Sequence, residues 1–145
     1  MSDLENVIVV DNGRYGVKIV TERLRRRLRD YKQFEDNDRF LIRSVVAPGK
    51  DFKMGIDLSY PNYFLIEKDS RSYMVGDLAI KQSANCETNR TEQKDTETDK
   101  VLIACASSLV AESGDDLILL TNCPVKNWTP ENRRQIAQSF EGYYS

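Results

Sequence analysis

Two β-branched runs, Val7-Ile8-Val9-Val10 and Val17-Lys18-Ile19-Val20, flank the polar stretch Asp11-Asn12-Gly13-Arg14-Tyr15-Gly16. Branched side chains favour extended backbone and an Asp-Asn-Gly cluster favours a tight turn, so the segment Val7 to Val20 is read as a β-hairpin. A glycine turn lets backbone approach a ligand closely and directs N–H groups inward, one way to cradle a phosphate. Asp11, at the end of the first strand, can hold a magnesium ion through water. Lys18, in the second strand, can supply a point charge to a phosphate oxygen. An ordinary hairpin with a solvated tip uses the same residue types. On these residues alone both readings stay open.

Composition narrows what the rest of the chain can do. A length of 145 residues is enough for one domain with a real core. Charged residues make up 30% of the chain, yet the net charge is only −2, so nothing pulls the whole molecule toward nucleic acid or an anionic membrane. No direct nucleic-acid contact is expected. Neither a long apolar run nor a charged-then-apolar leader is seen, so no membrane span is expected and a cytoplasmic location is. The scattered thiols Cys86, Cys105 and Cys123 fit reduced cysteines. Histidine is absent, which removes His-based metal sites and Ser-His or Cys-His nucleophiles. Chemistry would have to run on carboxylates, Lys, backbone dipoles and a bound metal.

Along the chain, Leu24, Leu28, Tyr31 and Phe34 fall at helical spacing after Thr21, with arginines of the Arg23–Arg29 stretch on the other faces. A solvated face is the plain reading of those arginines, and a basic contact patch the sharper one. Arg39 to Val46 reads as a strand ended by Pro48-Gly49. Tyr63 to Glu67 and Ser72 to Gly76 read as a second hairpin around Lys68-Asp69-Ser70-Arg71. The polar tract from Lys81 to Asp99 shows no apolar periodicity and is expected to be a mobile loop or short polar helix outside the core. From Thr98 to Ser113, Val101, Leu102, Cys105, Leu109 and Val110 predict a helix with one apolar face, capped at Gly114. Leu117 to Thr121 reads as a buried central strand. Thr129-Pro130 starts a last helix with Ile136, Ala137 and Phe140 inward and Gly142 at its end. The order predicts an α/β fold, a mixed β-sheet with flanking helices, as a single domain over 1–145 with variable segments at 21–37 and 81–97.

Taken in order, three segments resemble one family. Asp11-Asn12-Gly13, Gly16 and Lys18, directly after an apolar strand, resemble the first phosphate loop of the actin family of ATPases. Tyr73-Met74-Val75-Gly76-Asp77-Leu78-Ala79 is similar to that family's Tyr-x-Val-Gly-Asp-x-Ala segment. Leu119-Leu120-Thr121-Asn122-Cys123-Pro124-Val125, followed by Asn132-Arg133-Arg134, is similar to its strand, proline turn and Asn-Arg helix start. Ser44-Val45-Val46-Ala47-Pro48-Gly49 before a hairpin looks closer to the bacterial plasmid-segregation, ParM-type, branch.

The resemblance implies a ribonuclease-H-like, actin-like ATPase fold, of which only the N-terminal half is here. It implies ATP or GTP with magnesium as cofactor, bound by the loop Asp11, Asn12, Gly13, Arg14, Tyr15, Gly16 and by Lys18. Asp11 would face the hydrated magnesium. One departure stands out. Relatives carry a small hydroxyl residue after the first glycine, where this chain has Arg14, whose guanidinium can still meet a phosphate. The second phosphate loop, the adenosine segment and the water-orienting group would lie beyond Ser145. No catalytic residue is therefore expected within the chain, which would be a portion of a longer protein. The implied partners are further copies in a filament and a DNA-bound adaptor. A non-catalytic interaction module is the alternative, using the 81–99 and Arg23–Arg29 segments as contact surfaces. A sugar-kinase or chaperone-type relative ranks last.

Overall fold

The computed structural model describes residues 6–22, 40–52, 55, 62–88, 96–122 and 128–141. The Arg23–Arg29 segment with its helical spacing, Phe34, Cys123, Gly142 and the middle of the 81–97 segment lie outside them.

The hairpin forms as its sequence predicts. Strands β1 (Val7–Asn12) and β2 (Gly16–Val20) pair antiparallel, with Asp11 opposite Lys18 and Asn12 opposite Val17. Strict alternation buries Ile8, Val10, Val17 and Ile19 on one face and leaves Val9, Asp11, Lys18 and Val20 on the other. Arg39 to Val46 is not one strand. It is broken at Ser44 into β3 (Phe40–Arg43), which pairs with β2, and β4 (Val45–Pro48), which joins a different sheet. A single 3₁₀ turn, Gly49–Asp51, follows β4.

The second hairpin is β5 (Tyr63–Lys68) and β6 (Arg71–Gly76). Its two-residue tip places Asp69 and Ser70 at φ 51° and 64°, the mirror-type turn whose twist matches that of the strands. Helix α1 (Asp77–Gln82) leaves β6 directly. Strand β7 (Glu87–Thr88) then pairs antiparallel with β4. Helix α2 (Glu97–Ser108), strand β8 (Ile118–Thr121) and helix α3 (Pro130–Phe140) complete the described elements.

The strands form two four-stranded sheets, β3-β2-β1-β8 and β5-β6-β4-β7. The first is mixed because β8 runs parallel to β1 while its other pairs are antiparallel. The second is antiparallel throughout. Strand β8 is not the buried central strand the sequence suggests. It stands at the sheet edge among the described residues, with Ile118 and Leu120 exposed and Leu117 and Leu119 packed on the core.

Helix α2 contacts β1 and β2 of the first sheet and β4, β5 and β6 of the second. Val101, Leu102, Ile103, Cys105 and Ala106 are all buried. The predicted single apolar face is thus widened to most of the helix, because two sheets cover it. The helix also ends earlier than predicted, at Ser108, so Gly114 does not cap it. Gly114 sits at φ 87° in the following turn, next to the bond from Asp115 N–H to the Glu112 carbonyl. The polar tract is corrected at its C-terminal end, where Thr98 and Asp99 are buried. In α3 the Thr129 hydroxyl accepts from Asn132 N–H at 3.1 Å and Pro130 opens the helix, as predicted. Phe140 is buried and Ile136 half-buried, whereas Ala137 is exposed. A smaller core of Ala47, Met74, Leu78 and Ala79 lies where α1 folds back on the second sheet.

The buried Cys105 gives this packing a pH signature. Burial pushes its thiol from 9.0 up to about 12. The unfolded thiol ionises near its ordinary value while the folded one stays protonated. Stability from this group is therefore complete below pH 9.0 and is lost as pH rises toward about 12. The urea midpoint is expected to fall across that window with a steeper slope in the native chain than in Cys105→Ala. A bulky thiol reagent is expected to label Cys105 only after unfolding. Equal slopes, or rapid labelling in the folded protein, would contradict the packing.

Candidate functional site

The hairpin Val7 to Val20 ends in a two-residue tip, Arg14-Tyr15, between Gly13 and Gly16. Gly13 N–H donates to the Gly16 carbonyl at 3.2 Å and closes the tip. Neither Gly13 nor Gly16 has positive φ, so neither is required here for a left-handed backbone. What Gly13 requires is space. A Cβ on Gly13 would meet the Gly16 carbonyl oxygen at 2.9 Å, whereas one on Gly16 would meet the end of the half-exposed Leu41 side chain, which can turn aside. The tip itself is open, with Tyr15 91% exposed.

Ser44, at the break between β3 and β4, holds this tip from outside. Its hydroxyl donates to the Gly13 carbonyl at 2.7 Å and its N–H to the Tyr15 carbonyl at 3.3 Å. The next support is Asn62, at φ 60°, whose side-chain oxygen accepts Arg43 N–H at 2.9 Å and whose carbonyl accepts Leu78 N–H at 3.4 Å. Gly76 turns the chain from β6 into α1 at φ 78°, and a Cβ there would sit 2.5 Å from the Asn62 carbonyl oxygen. The following residue, Asp77, pairs with Arg43 Nε at 3.0 Å. The Val-Gly-Asp corner is thus connected through Asn62 and Arg43 to the strand beside the glycine hairpin.

The candidate residues separate by strand parity. Asp11 and Lys18 are direct cross-strand partners, and both emerge on the face of the first sheet opposite the core. With Val9 and Val20 they line a shallow depression of 320 Å³. Asn12 points the other way. It is 1% exposed, and its side-chain amide donates to Asp99 Oδ1 at 2.7 Å. Its backbone N–H donates to Asn122 Oδ1 at 3.1 Å, just past the end of β8.

A family model described as actin-like proteins, N-terminal domain, matches residues 10–144. The chain belongs to that family. Two solved ParM structures share the fold of this actin-like domain. The apo pSK41 ParM protein is 14% identical with a TM-score of 0.57, over 92% of this chain and 42% of that one. A non-polymerisable quadruple mutant of pCBH ParM is 20% identical with a TM-score of 0.62, over 92% of this chain and 37% of that one. The chain therefore spans about two fifths of the length of these structures. No curated protein matches its sequence.

In the actin-like domain the residues present suit a phosphate and its hydrated metal. Lys18 offers an exposed ammonium and Asp11 an exposed carboxylate across one strand pair. No group of three or more His, Cys, Asp or Glu that could hold a metal occurs among the described residues. A single carboxylate suits magnesium, which keeps most of its waters and takes further oxygens from a nucleotide's phosphates. Sequence reasoning missed Ser44, Asn62 and Asp99. Two of them left a local trace: Ser44 interrupts an apolar run, and Thr96-Glu97-Thr98-Asp99 has the spacing of a capping box with Asp in the last place.

Replacing Ser44 by Ala removes the hydroxyl and leaves the Gly13 carbonyl without that donor. We expect a loss of about 1 kcal/mol in urea unfolding. Gly13 amide exchange faster than in the native chain, with the α2 core unchanged, should accompany it. Unchanged Gly13 exchange would show that Ser44 does not hold the tip.

Proposed function

We propose that this chain contributes the first phosphate-binding wall of the nucleotide site in a ParM-type actin-like ATPase. The observation that carries the reading is the pairing of Asp11 with Lys18 on the open face, beside a glycine-flanked tip. Lys18 would hold phosphate oxygens and Asp11 the water shell of magnesium. Arg14 at the exposed tip would add a second cation. Bound magnesium would neutralise phosphate charge. ATP and GTP share the phosphates this wall would contact, so the hairpin serves either.

At the level of the cell, the reading is a cytoplasmic protein that self-associates into filaments and segregates plasmid DNA through a DNA-bound adaptor. No described helix is long and apolar enough to cross a membrane. Support for self-association comes from the likeness to ParM, one of whose solved structures is of a mutant made non-polymerisable. Hydrolysis needs further groups to position water and stabilise transferred charge.

The test is a titration of the chain with magnesium-ATP into the millimolar range, followed by backbone amide shifts. Gly13, Gly16 and their neighbours are expected to shift. Lys18→Ala should weaken the interaction roughly tenfold or more, the value of one charge-assisted hydrogen bond. A hairpin unmoved by magnesium-ATP and magnesium-GTP would remove the reading.

A further inference from the structure

The first turn of α2 joins parts of the molecule that are distant in sequence. Glu97 Oε1 accepts from Lys68 Nζ at 3.1 Å and from the Tyr73 hydroxyl at 3.3 Å, both on the β5–β6 hairpin. The Thr98 hydroxyl donates to Glu87 Oε2 at 3.0 Å, on β7. Asp99 reaches the other sheet. Its Oδ2 accepts the Thr96 N–H at 3.2 Å and the Thr96 hydroxyl at 2.8 Å. Its Oδ1 accepts the side-chain amide of Asn12 at 2.7 Å.

Capping the helix engages only one of the two carboxylate oxygens of Asp99. Burying the whole group, at 0% exposure, calls for a donor on the other oxygen, and Asn12 is that donor. Asn12 is the last residue of β1, immediately before Gly13 and next to Asp11. Anchoring its side chain and its backbone at once fixes where the strand ends and the tip begins.

We propose that Asp99 is a positioning residue for the phosphate-binding hairpin, holding Gly13–Gly16 in place through Asn12 so that the loop is pre-organised for its ligand. The inference rests on the nucleotide-binding reading of the hairpin. Asp99 touches no ligand in this arrangement. It acts through one buried hydrogen bond, and it shares a helical turn with Glu97 and Thr98. The hairpin and the second sheet are therefore referred to the same rigid turn.

The test uses the polarity of that bond. Asn12→Asp sets two carboxylates face to face. In Asp99→Asn a single oxygen must serve donors on both Asn12 and Thr96. The double variant restores the pair with donor and acceptor exchanged. The carboxylate then on β1 accepts from the amide then on α2, and the oxygen of that amide keeps the Thr96 N–H. Thr96→Ala is the control, since it weakens the helix cap but leaves the backbone N–H at 96 for Asp99.

Amide exchange at Gly13 is read in each chain, with magnesium-ATP titrations alongside. Asn12→Asp should accelerate Gly13 exchange roughly tenfold or more. The double variant should recover most of that protection, along with nucleotide affinity relative to Asn12→Asp. Thr96→Ala should lower the melting temperature with Gly13 exchange unchanged. Where Asn12→Asp does not fold, Asp99→Asn supplies the single-variant arm. A double variant no better protected than the single one, or Thr96→Ala exposing Gly13 as much as Asn12→Asp, would reduce Asp99 to a helix cap and overturn the proposal. Recovery of Gly13 protection with no nucleotide binding by any chain, the native one included, would uphold the positioning and refute the nucleotide reading instead.

Discussion

Everything described in this domain depends on one helix being covered by two sheets. Helix α2 contributes Val101, Leu102, Ile103, Cys105 and Ala106 to the interior, and they join residues of both sheets in one cluster. Each large side chain removed from water contributes roughly 1.5–3 kcal/mol, so this helix is the chief source of cohesion between the sheets. Neither sheet would be held to the other by its own hydrogen bonds, since no ladder links them among the described residues. The same geometry explains why the first turn of α2 is rich in polar contacts. Its N-terminus emerges between the sheets, and its first amides and acidic side chains need partners there.

Partner-finding concentrates next to the glycine hairpin. Asn12, Ser44 and Asp99 are buried polar residues. Each would cost stability if left unpaired. Ser44 serves the hairpin's own carbonyls, and Asn12 and Asp99 serve each other. The exposed contacts contribute less. Arg43 with Asp77 has side chains 60% and 35% exposed, so the pair aligns the corner more than it stabilises the fold. At the far hairpin, burial works to lower the pKa of Lys68, but the carboxylates of Asp69 and Glu97 outweigh it and raise it. That charge is retained because it bridges the tip to α2.

Legibility in the sequence followed the range of the interactions. Both hairpins, the Thr129-Pro130 helix start and the burial of Cys105 rest on local patterns, and those patterns were sufficient. The break at Ser44 was not legible as periodicity, because Phe40 to Pro48 alternates little. What splits it is the departure of β3 and β4 into different sheets, with Ser44 bonded to the hairpin. The exposed edge position of β8 was hidden for a similar reason, since an apolar run does not say how many neighbours the strand will have. Asp99 was assigned to a polar tract by composition. Only its link to Asn12, across 87 positions, draws it into the core. Asp11 and Lys18 were read separately, one at the end of a strand and one within the next, and period-two alternation together with the register brings them opposite each other on one face. Asn12, from the same motif, faces inward by the same alternation.

The two hairpin tips show how the chain accommodates its departure at Arg14. Asp69-Ser70 uses positive φ at both positions, the geometry that closes a two-residue hairpin tip. Arg14-Tyr15 does not enter that region. Its tip is held instead by the Gly13–Gly16 closure and by two bonds from Ser44. Backbone position is thus set by the Gly13–Gly16 closure, which leaves no room for a Cβ on Gly13, and by Ser44 behind it. The two tip side chains carry none of that constraint, because both are exposed. A small hydroxyl residue can therefore be exchanged for Arg14 without rebuilding the loop. The exchange replaces a short hydrogen-bonding group by a long cation. On this hairpin the flanks determine shape, so substitution at the exposed Arg14 and Tyr15 is expected to change the chemistry presented at the tip without moving its backbone.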